Sequence, residues 1–418
     1  MTEQMNVPKL RFSEFEYEFK ETSLEDLTNK KISYGIVQAG PHVPHGMPYI
    51  KSTNLNKELC ISSLERTSSQ IAQAYKRSEV NPGDIVFSLR GNIGATRVVP
   101  DSITVANLTQ GTARISIKDN LSNLYINYCL KTHRLYKRIN SVSKGSTFQE
   151  ISLADLRQVK VSHTPDTTEQ HKIASFLSKV DKKTELLSKK KDKLIEYKKG
   201  VMQQLFNGEC KQNAQDGKAT FITPTLRFKS DDGSDFPDWQ EKKLRDVCIV
   251  NPKSKSLPKS FKYIDLEAVN KGSLGSTDLL DIENAPSRAQ RLLKQNDIIY
   301  QCVRPYQQNN YFFMLEGVYV ASTGYAQLRA KITPSFVYYT IHTELFNRRV
   351  LSRCTGTSYP AINSSDLAGI KVGVPKSEEE QTKIAHFLSA IDQKIELANS
   401  ELEKNKHWKK GLLQQMFV

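Results

Sequence analysis

No stretch of this chain approaches the roughly 18 consecutive apolar residues that a membrane-crossing helix requires. The opening MTEQMNVPKLRF lacks the apolar segment of a signal peptide, so a cytoplasmic protein with no membrane partner is expected. Cysteine is sparse. The six residues Cys60, Cys129, Cys210, Cys248, Cys302 and Cys354 are scattered and never form C-x-x-C, which argues against zinc and for free, buried thiols in a reducing compartment. There is no G-x-x-x-x-G-K-[ST] phosphate loop and no G-x-G-x-x-G dinucleotide fingerprint. The Asn/Asp-Pro-Pro-Tyr/Phe tetrad of adenine methyltransferases is missing too. His42 and His45 have metal-like spacing, but prolines flank them and no third ligand stands out, so a loop is expected. PDWQEKK (237–243) holds fragments of a metal-nuclease motif with its acids too close together. The expectation is a chain with no catalytic residue, no metal site and no cofactor of its own.

Acidic residues are in deficit: 45 Asp and Glu face 60 Lys and Arg, for a net charge of +15 and a pI near 9.3. Such an excess favours a polyanionic partner. The plain alternative is a soluble protein with surplus surface lysine. At 38% hydrophobic and 25% charged residues the chain is globular, and 418 residues suffice for two or more cores.

The chain contains one long segment twice. EQHKIASFLSKVDKKTELLSKKKDKLIEYKKGVMQQLF (169–206) and EQTKIAHFLSAIDQKIELANSELEKNKHWKKGLLQQMF (380–417) align without a gap at an offset of 211, with half the positions identical. The repeat continues upstream. Gly145, Ile151, Asp155, Leu156, Lys160 and Val161 match Gly356, Ile362, Asp366, Leu367, Lys371 and Val372. PKLRF (8–12) echoes PTLRF (224–228), and GDIVFSLRG (83–91) echoes NDIIYQCVR (296–304), each of the latter a short buried-strand pattern opened by Asp. The order is therefore globule, helix, globule, helix. The expected divisions are 1–160, 161–208, 209–376 and 377–418, with NGECKQNAQDGKAT (207–220) as a polar linker.

Asp166 and Ser377 sit at N-cap positions, with Glu169 and Glu380 at capping-box spacing. Apolar residues then step by four and three through Ile173, Leu177, Val180 and Leu187, with Thr184, Lys191 and Lys198 as polar interruptions. The second copy runs through Ile384, Leu388, Ile391 and Ile395, and is interrupted at Asn405 and Lys409. This is a heptad seam. Each helix would be a rod of ~57 Å at ~1.5 Å per residue. Either each packs on its own globule, or the two pair; matched lengths favour an antiparallel pair with a pseudo-two-fold axis and a globule at each end. The first helix carries ten lysines against six acids and the second six against seven, so most of the basic excess lies in the globules.

The loops after the two equivalent strands are rich in groups that touch nucleic acid. SLRGNIGATR (88–97) offers Arg90, Asn92 and Arg97; VRPYQQNNY (303–311) offers Arg304, Tyr306, Gln307, Gln308, Asn309 and Asn310. Arg pairs with guanine, Asn and Gln with adenine, and backbone amides at glycine hold phosphates. An ordinary polar turn is the alternative for either loop alone. Tyr34, Lys51, Lys144 and Tyr359 join the DNA-binding candidates.

E-Q-x-K-I-A-x-F-L-S-x-x-D at the head of each helix and K-K-G-x-x-Q-Q-x-F at its end resemble the specificity subunits of Type I restriction–modification systems. SYGIVQAGPHVPHGMPYIKSTNL (33–55) and NPGDIVFSLRGNIGATRVV (81–99) look like segments of that family's target recognition domains. The second globule lacks a clear YGIVQ-x-G segment. The resemblance implies a mixed α/β chain with two target recognition domains, each reading one half of an asymmetric bipartite site in double-stranded DNA. The paired helices would set the gap and dock two methyltransferase subunits, which bring S-adenosylmethionine. A restriction subunit using ATP and Mg would join them. The repeated surface for the methyltransferase would include Phe176/Phe387, Lys199/Lys410, Gln203/Gln414 and Gln204/Gln415. A stand-alone DNA-binding regulator and a coiled-coil adaptor remain as rivals.

Overall fold

The structure, a computed structural model, describes residues 6–143, 149–212, 219–254, 256–356 and 358–418. The chain divides into two compact units. The first comprises Met1–Ser188 with Ser400–Val418, and the second is Lys189–Asn399. The long helices run Thr167–Leu205 and Glu378–Gln415. Each unit therefore contains a globule, the head of the helix that follows it and the tail of the other helix. No helix among the described residues is long and apolar enough to cross a membrane.

In the first unit a four-stranded antiparallel sheet orders Ser33–Tyr34, Thr112–Ile115, Ile85–Ser88 and Thr96–Val98. Glu65–Thr67, Met47–Ile50 and Asn107–Leu108 form a second sheet, the last pair parallel. Ile85–Ser88 is buried at every position because its alternating side chains enter two cores. Ile85 and Phe87 pack against the helices, whereas Val86 packs under the second sheet. The second unit repeats this plan. Cys248–Val250, Tyr325–Ala330, Asp297–Gln301 and Tyr311–Phe312 form its antiparallel sheet. Leu279–Asp281, Ser260–Ile264, Tyr319–Ser322 and Ala289–Leu292 form the other. Ile298 and Tyr300 face the helix-side core, and Ile299 faces the second core. The aspartates that open the central strands pin the turns before them: Asp84 accepts from Asn81 N at 2.8 Å and Asp297 from Lys294 N at 2.7 Å.

Within each unit the two helix segments run antiparallel. Ile173, Leu177 and Val180 share a core with Leu412, Met416 and Phe417. Ile384, Leu388 and Ile391 share one with Val201, Leu205 and Phe206. The seam is keyed by polar groups. The motif aspartate of each helix head accepts from a tyrosine of its globule, Tyr128 to Asp181 at 2.8 Å and Tyr339 to Asp392 at 3.0 Å. The same carboxylates pair with lysines of the other helix's tail, Lys409 on Asp181 and Lys198 on Asp392. In the first unit buried Asn405 also donates to Thr184 Oγ1 at 2.7 Å. At the repeat-equivalent positions the second unit holds Leu194 and Ile395.

The helix caps differ from expectation in one respect. Asp166 Oδ1 accepts from Thr168 N and Glu169 N, and Ser377 Oγ from Glu380 N. The glutamates do not reach back to complete the box. Glu169 and Glu380 are wholly buried, and each is held by the arginine of the P-x-L-R-F segment. Arg11 reaches both oxygens of Glu169 at 2.7 and 2.8 Å, and Arg227 both oxygens of Glu380 at 2.9 Å. Removing one partner of such a buried pair costs about 3–5 kcal/mol, because the other charge is left uncompensated. The same segment binds the neighbouring helix tail, Leu10 N to Gln415 O and Leu226 N to Gln204 O. Cys129, Cys248 and Cys302 are buried free thiols, but Cys60 is exposed, contrary to the expectation of uniformly buried cysteines.

Candidate nucleic-acid interface

Each central strand ends in a loop that is bridged to the segment before a short helix, and the bridging is the same in both units. Leu89 N donates to Gly111 O, and Cys302 N to Gly324 O. Leu89 O accepts from Ile151 N, and Cys302 O from Ile362 N. Arg90 bridges Glu150, and Val303 bridges Ala361. The two loops singled out in the sequence thus occupy equivalent places on equivalent scaffolds.

Their side chains are arranged differently. In the first unit Arg90 pairs with Glu150 at 2.9 Å, Asn92 donates to Asn56 Oδ1 at 2.7 Å, and Arg97 Nε donates to Lys57 O at 3.1 Å. Lys51 pairs with Glu65 at 2.5 Å and lies over the Tyr49 ring. Tyr34 sits on the edge strand beneath Arg77, 6.0 Å from the ring centre. Lys144 lies outside the described residues.

In the second unit buried Gln301 organises the loop. Its Nε2 donates to Gln307 Oε1 at 3.0 Å, and its Oε1 accepts from Asn309 N at 3.2 Å. Its backbone N donates to Asn310 Oδ1 at 2.9 Å, and Asn309 Oδ1 accepts from Lys271 N at 3.0 Å. The carbonyl oxygens of Gln307, Asn309 and Asn310 are therefore already engaged, and these amides shape the loop. Tyr306 and Tyr359 stand well exposed, and Arg304 lies over the Tyr359 ring at 4.4 Å. Arg304 and Gln308 both have left-handed backbones, with φ of 56° and 54°.

Behind each loop is a cleft formed with the helix tail. In the second unit it measures about 880 Å³ and is lined by Lys199, Gln203, Gln307, Gln308, His342 and Glu344, among others. In the first it measures about 360 Å³ and is lined by Asn92, Gly94, Lys131, Tyr136, Lys410 and Gln414, among others. The structure thus brings candidate DNA-contacting loops beside candidate partner-contacting helix tails, twice. Gln203 donates to Glu344 at 3.1 Å. Gln204 and Gln415 have exposed side chains, while their carbonyls hold the P-x-L-R-F segments. Phe176 and Phe387 are less outward than the sequence suggested. Phe176 is half-buried between Phe12 and Trp408, each about 6.1 Å away, and Phe387 packs on Phe228 at 5.5 Å.

Sequence reasoning missed the residues that line both clefts at positions 131 and 342. Burial pushes the Lys131 ammonium down to about 8, with Arg97 and Lys409 adding repulsion. Burial also pushes His342 down to about 4. His342 Nδ1 meets Tyr338 O at 2.7 Å, and its Nε2 meets Asn310 Nδ2 at 3.3 Å, an arrangement that suits the neutral ring. The offset of 211 pairs these two positions, but Lys and His share no identity to draw attention to them. Among the described residues no group of three or more His, Cys, Asp and Glu is placed to hold a metal.

The family model described as the Type I restriction modification DNA specificity domain matches residues 16–196 and 237–405. The MjaVIII specificity subunit of a Type I restriction enzyme from Methanocaldococcus jannaschii is 24% identical over 381 residues, spanning 88% of this chain and 84% of that protein. The crystal structure of a Type I restriction–modification S subunit from M. genitalium superposes with a TM-score of 0.61 at 18% identity and covers 99% of each chain. A chain solved in work on complex assembly and conformational transition of the type I system superposes with a TM-score of 0.55 at 13% identity, covering 96% of this chain and 97% of that one.

Proposed function

This chain belongs to the Type I restriction modification DNA specificity family, and we propose that it reads an asymmetric bipartite site in double-stranded DNA, one half per compact unit. It is a non-catalytic specificity subunit. The observation that carries the bipartite reading is a contrast between scaffold and loop. The bridging of the two loops is the same, but SLRGNIGATR and VRPYQQNNY share almost nothing in their polar groups. Equivalent frames carrying different donors and acceptors suit two different half-sites.

The helix tails support the second part of the proposal. Lys199 and Gln203 line one cleft and recur as Lys410 and Gln414 in the other, and the exposed Gln204 next to them recurs as Gln415. A surface that repeats suits one kind of partner bound twice, here two methyltransferase subunits. Those subunits would bring S-adenosylmethionine and methylate adenine. A restriction subunit would bring ATP and Mg, and the assembly would work in the cytoplasm.

Exchange of residues 1–160 for the corresponding globule of another family member tests the reading. Methylome sequencing should show one half of the methylated motif replaced and the other unchanged. A change in both halves would refute independent readout. A stand-alone regulator would purify without methyltransferase, and a pure adaptor would show no salt-dependent DNA shift.

A further inference from the structure

We propose that Arg304 reads a guanine in the half-site of the second unit and that Tyr359 positions it; this rests on the reading of that unit as a DNA-recognition unit. The first observation concerns the backbone. The shared bridging makes Arg304 the counterpart of Gly91, one residue beyond Arg90 and Val303. Both positions are left-handed, with φ of 75° at Gly91 and 56° at Arg304. Glycine is the unstrained residue there, and L residues adopt this region only with steric cost. A side chain at Gly91 would meet nothing within 4 Å, so the position faces open space and no packing demands one. An arginine held in strain where glycine would serve the fold marks a functional site.

The second observation concerns the side chain. The Arg304 guanidinium lies over the ring of Tyr359, 4.4 Å from its centre. Among the described residues it makes no hydrogen bond or ion pair. Arg90, by contrast, is paired with Glu150. Tyr359 is itself 62% exposed. An aromatic face fixes the guanidinium through its flat side and leaves the N–H groups at its edge. That edge matches O6 and N7 of guanine in the major groove. The backbone is held as well: Arg304 N donates to Pro360 O at 2.8 Å, and Gln301 ties down the rest of the loop. A phosphate needs only a positive charge, which any flexible lysine supplies. A planar fork with a fixed orientation is suited to a base edge.

The test uses the full chain expressed with its methyltransferase subunits, with the methylated motif and the binding of the purified complex as readouts. Arg304→Gly should melt no lower than wild type, because glycine suits the backbone. Its motif should become degenerate at one G·C position of the second half-site, with at least tenfold loss of discrimination there and an unchanged first half-site. Arg304→Lys should lose the same position, since it keeps the charge but not the fork. Tyr359→Leu should weaken discrimination at that position by less. An intact motif in Arg304→Lys would overturn the proposal in favour of a phosphate contact. An intact motif in Arg304→Gly would reduce the residue to a turn, and a lower melting temperature would refute the argument from strain. A wild-type motif without two parts would refute the underlying reading, whereas a bipartite motif indifferent to residue 304 would refute this inference alone.

Discussion

At the scale of single residues, the second unit carries a titratable group packed against its recognition loop. His342 receives Asn310 on one ring nitrogen and meets a carbonyl with the other, with Lys198 and Asp392 nearby. Burial holds it neutral, with its pKa lowered from 6.5 to about 4. The unfolded chain therefore binds a proton before the folded chain does. The stability in question is complete above pH 6.5 and is lost as pH falls from about 6.5 to about 4, by about 3 kcal/mol in all. Urea denaturation at pH 7.5 and pH 4.5 should show this loss in wild type and a smaller one in His342→Gln. Equal losses would show that His342 does not govern the acid limb. Residues of this kind were hard to see in the sequence. Arg304 and Asn310 drew attention because they lie in one short polar run. His342 and Arg11 did not, because His342 lies 32 residues from Asn310 and Arg11 lies 158 from Glu169.

Among the elements, the long helices were the most legible, because a heptad pattern with caps is a local signal. The capping box was only half right: a buried arginine competes for each glutamate, and that partner arrives through the fold. The polar interruptions at Thr184 and Asn405 were visible, but their meeting was not. That pair occupies the seam of the first unit, where the second has leucine and isoleucine. A polar pair in such a seam, here buried Asn405 with half-buried Thr184, favours one register at some cost in stability. Thr184→Ile with Asn405→Leu should therefore raise the urea midpoint of the first unit, as judged by hydrogen exchange. A lower midpoint would show the pair to be stabilising in its own right. The shortest strands were illegible: Asn107–Leu108 of the first unit's second sheet and Val269–Asn270, which pairs only with Ser273–Leu274, are two residues long and have no period to detect.

For the whole molecule, the duplication was readable as globule, helix, globule, helix, but the compact units follow a different division. Leu412, Met416 and Phe417 complete the core of the first unit, and each is at most 7% exposed. Burying side chains of this size stabilises by about 1.5–3 kcal/mol apiece. Deleting residues 400–418 should therefore unfold or loosen the first unit by several kcal/mol. Amide exchange should rise in residues 6–143 more than in the contiguous second unit. The reverse order would contradict this division of the core.

The same division bears on synthesis. A ribosome releases Met1–Ser188 first, yet that stretch lacks part of its own core until Ser400–Val418 has emerged, after the entire second unit. The half made first must wait for Leu412, Met416 and Phe417 to join Ile173, Leu177 and Val180 in its core, while the half made later holds all of its core in one continuous stretch. The core of the half made first is thus completed by the segment made last, the tail of the second long helix.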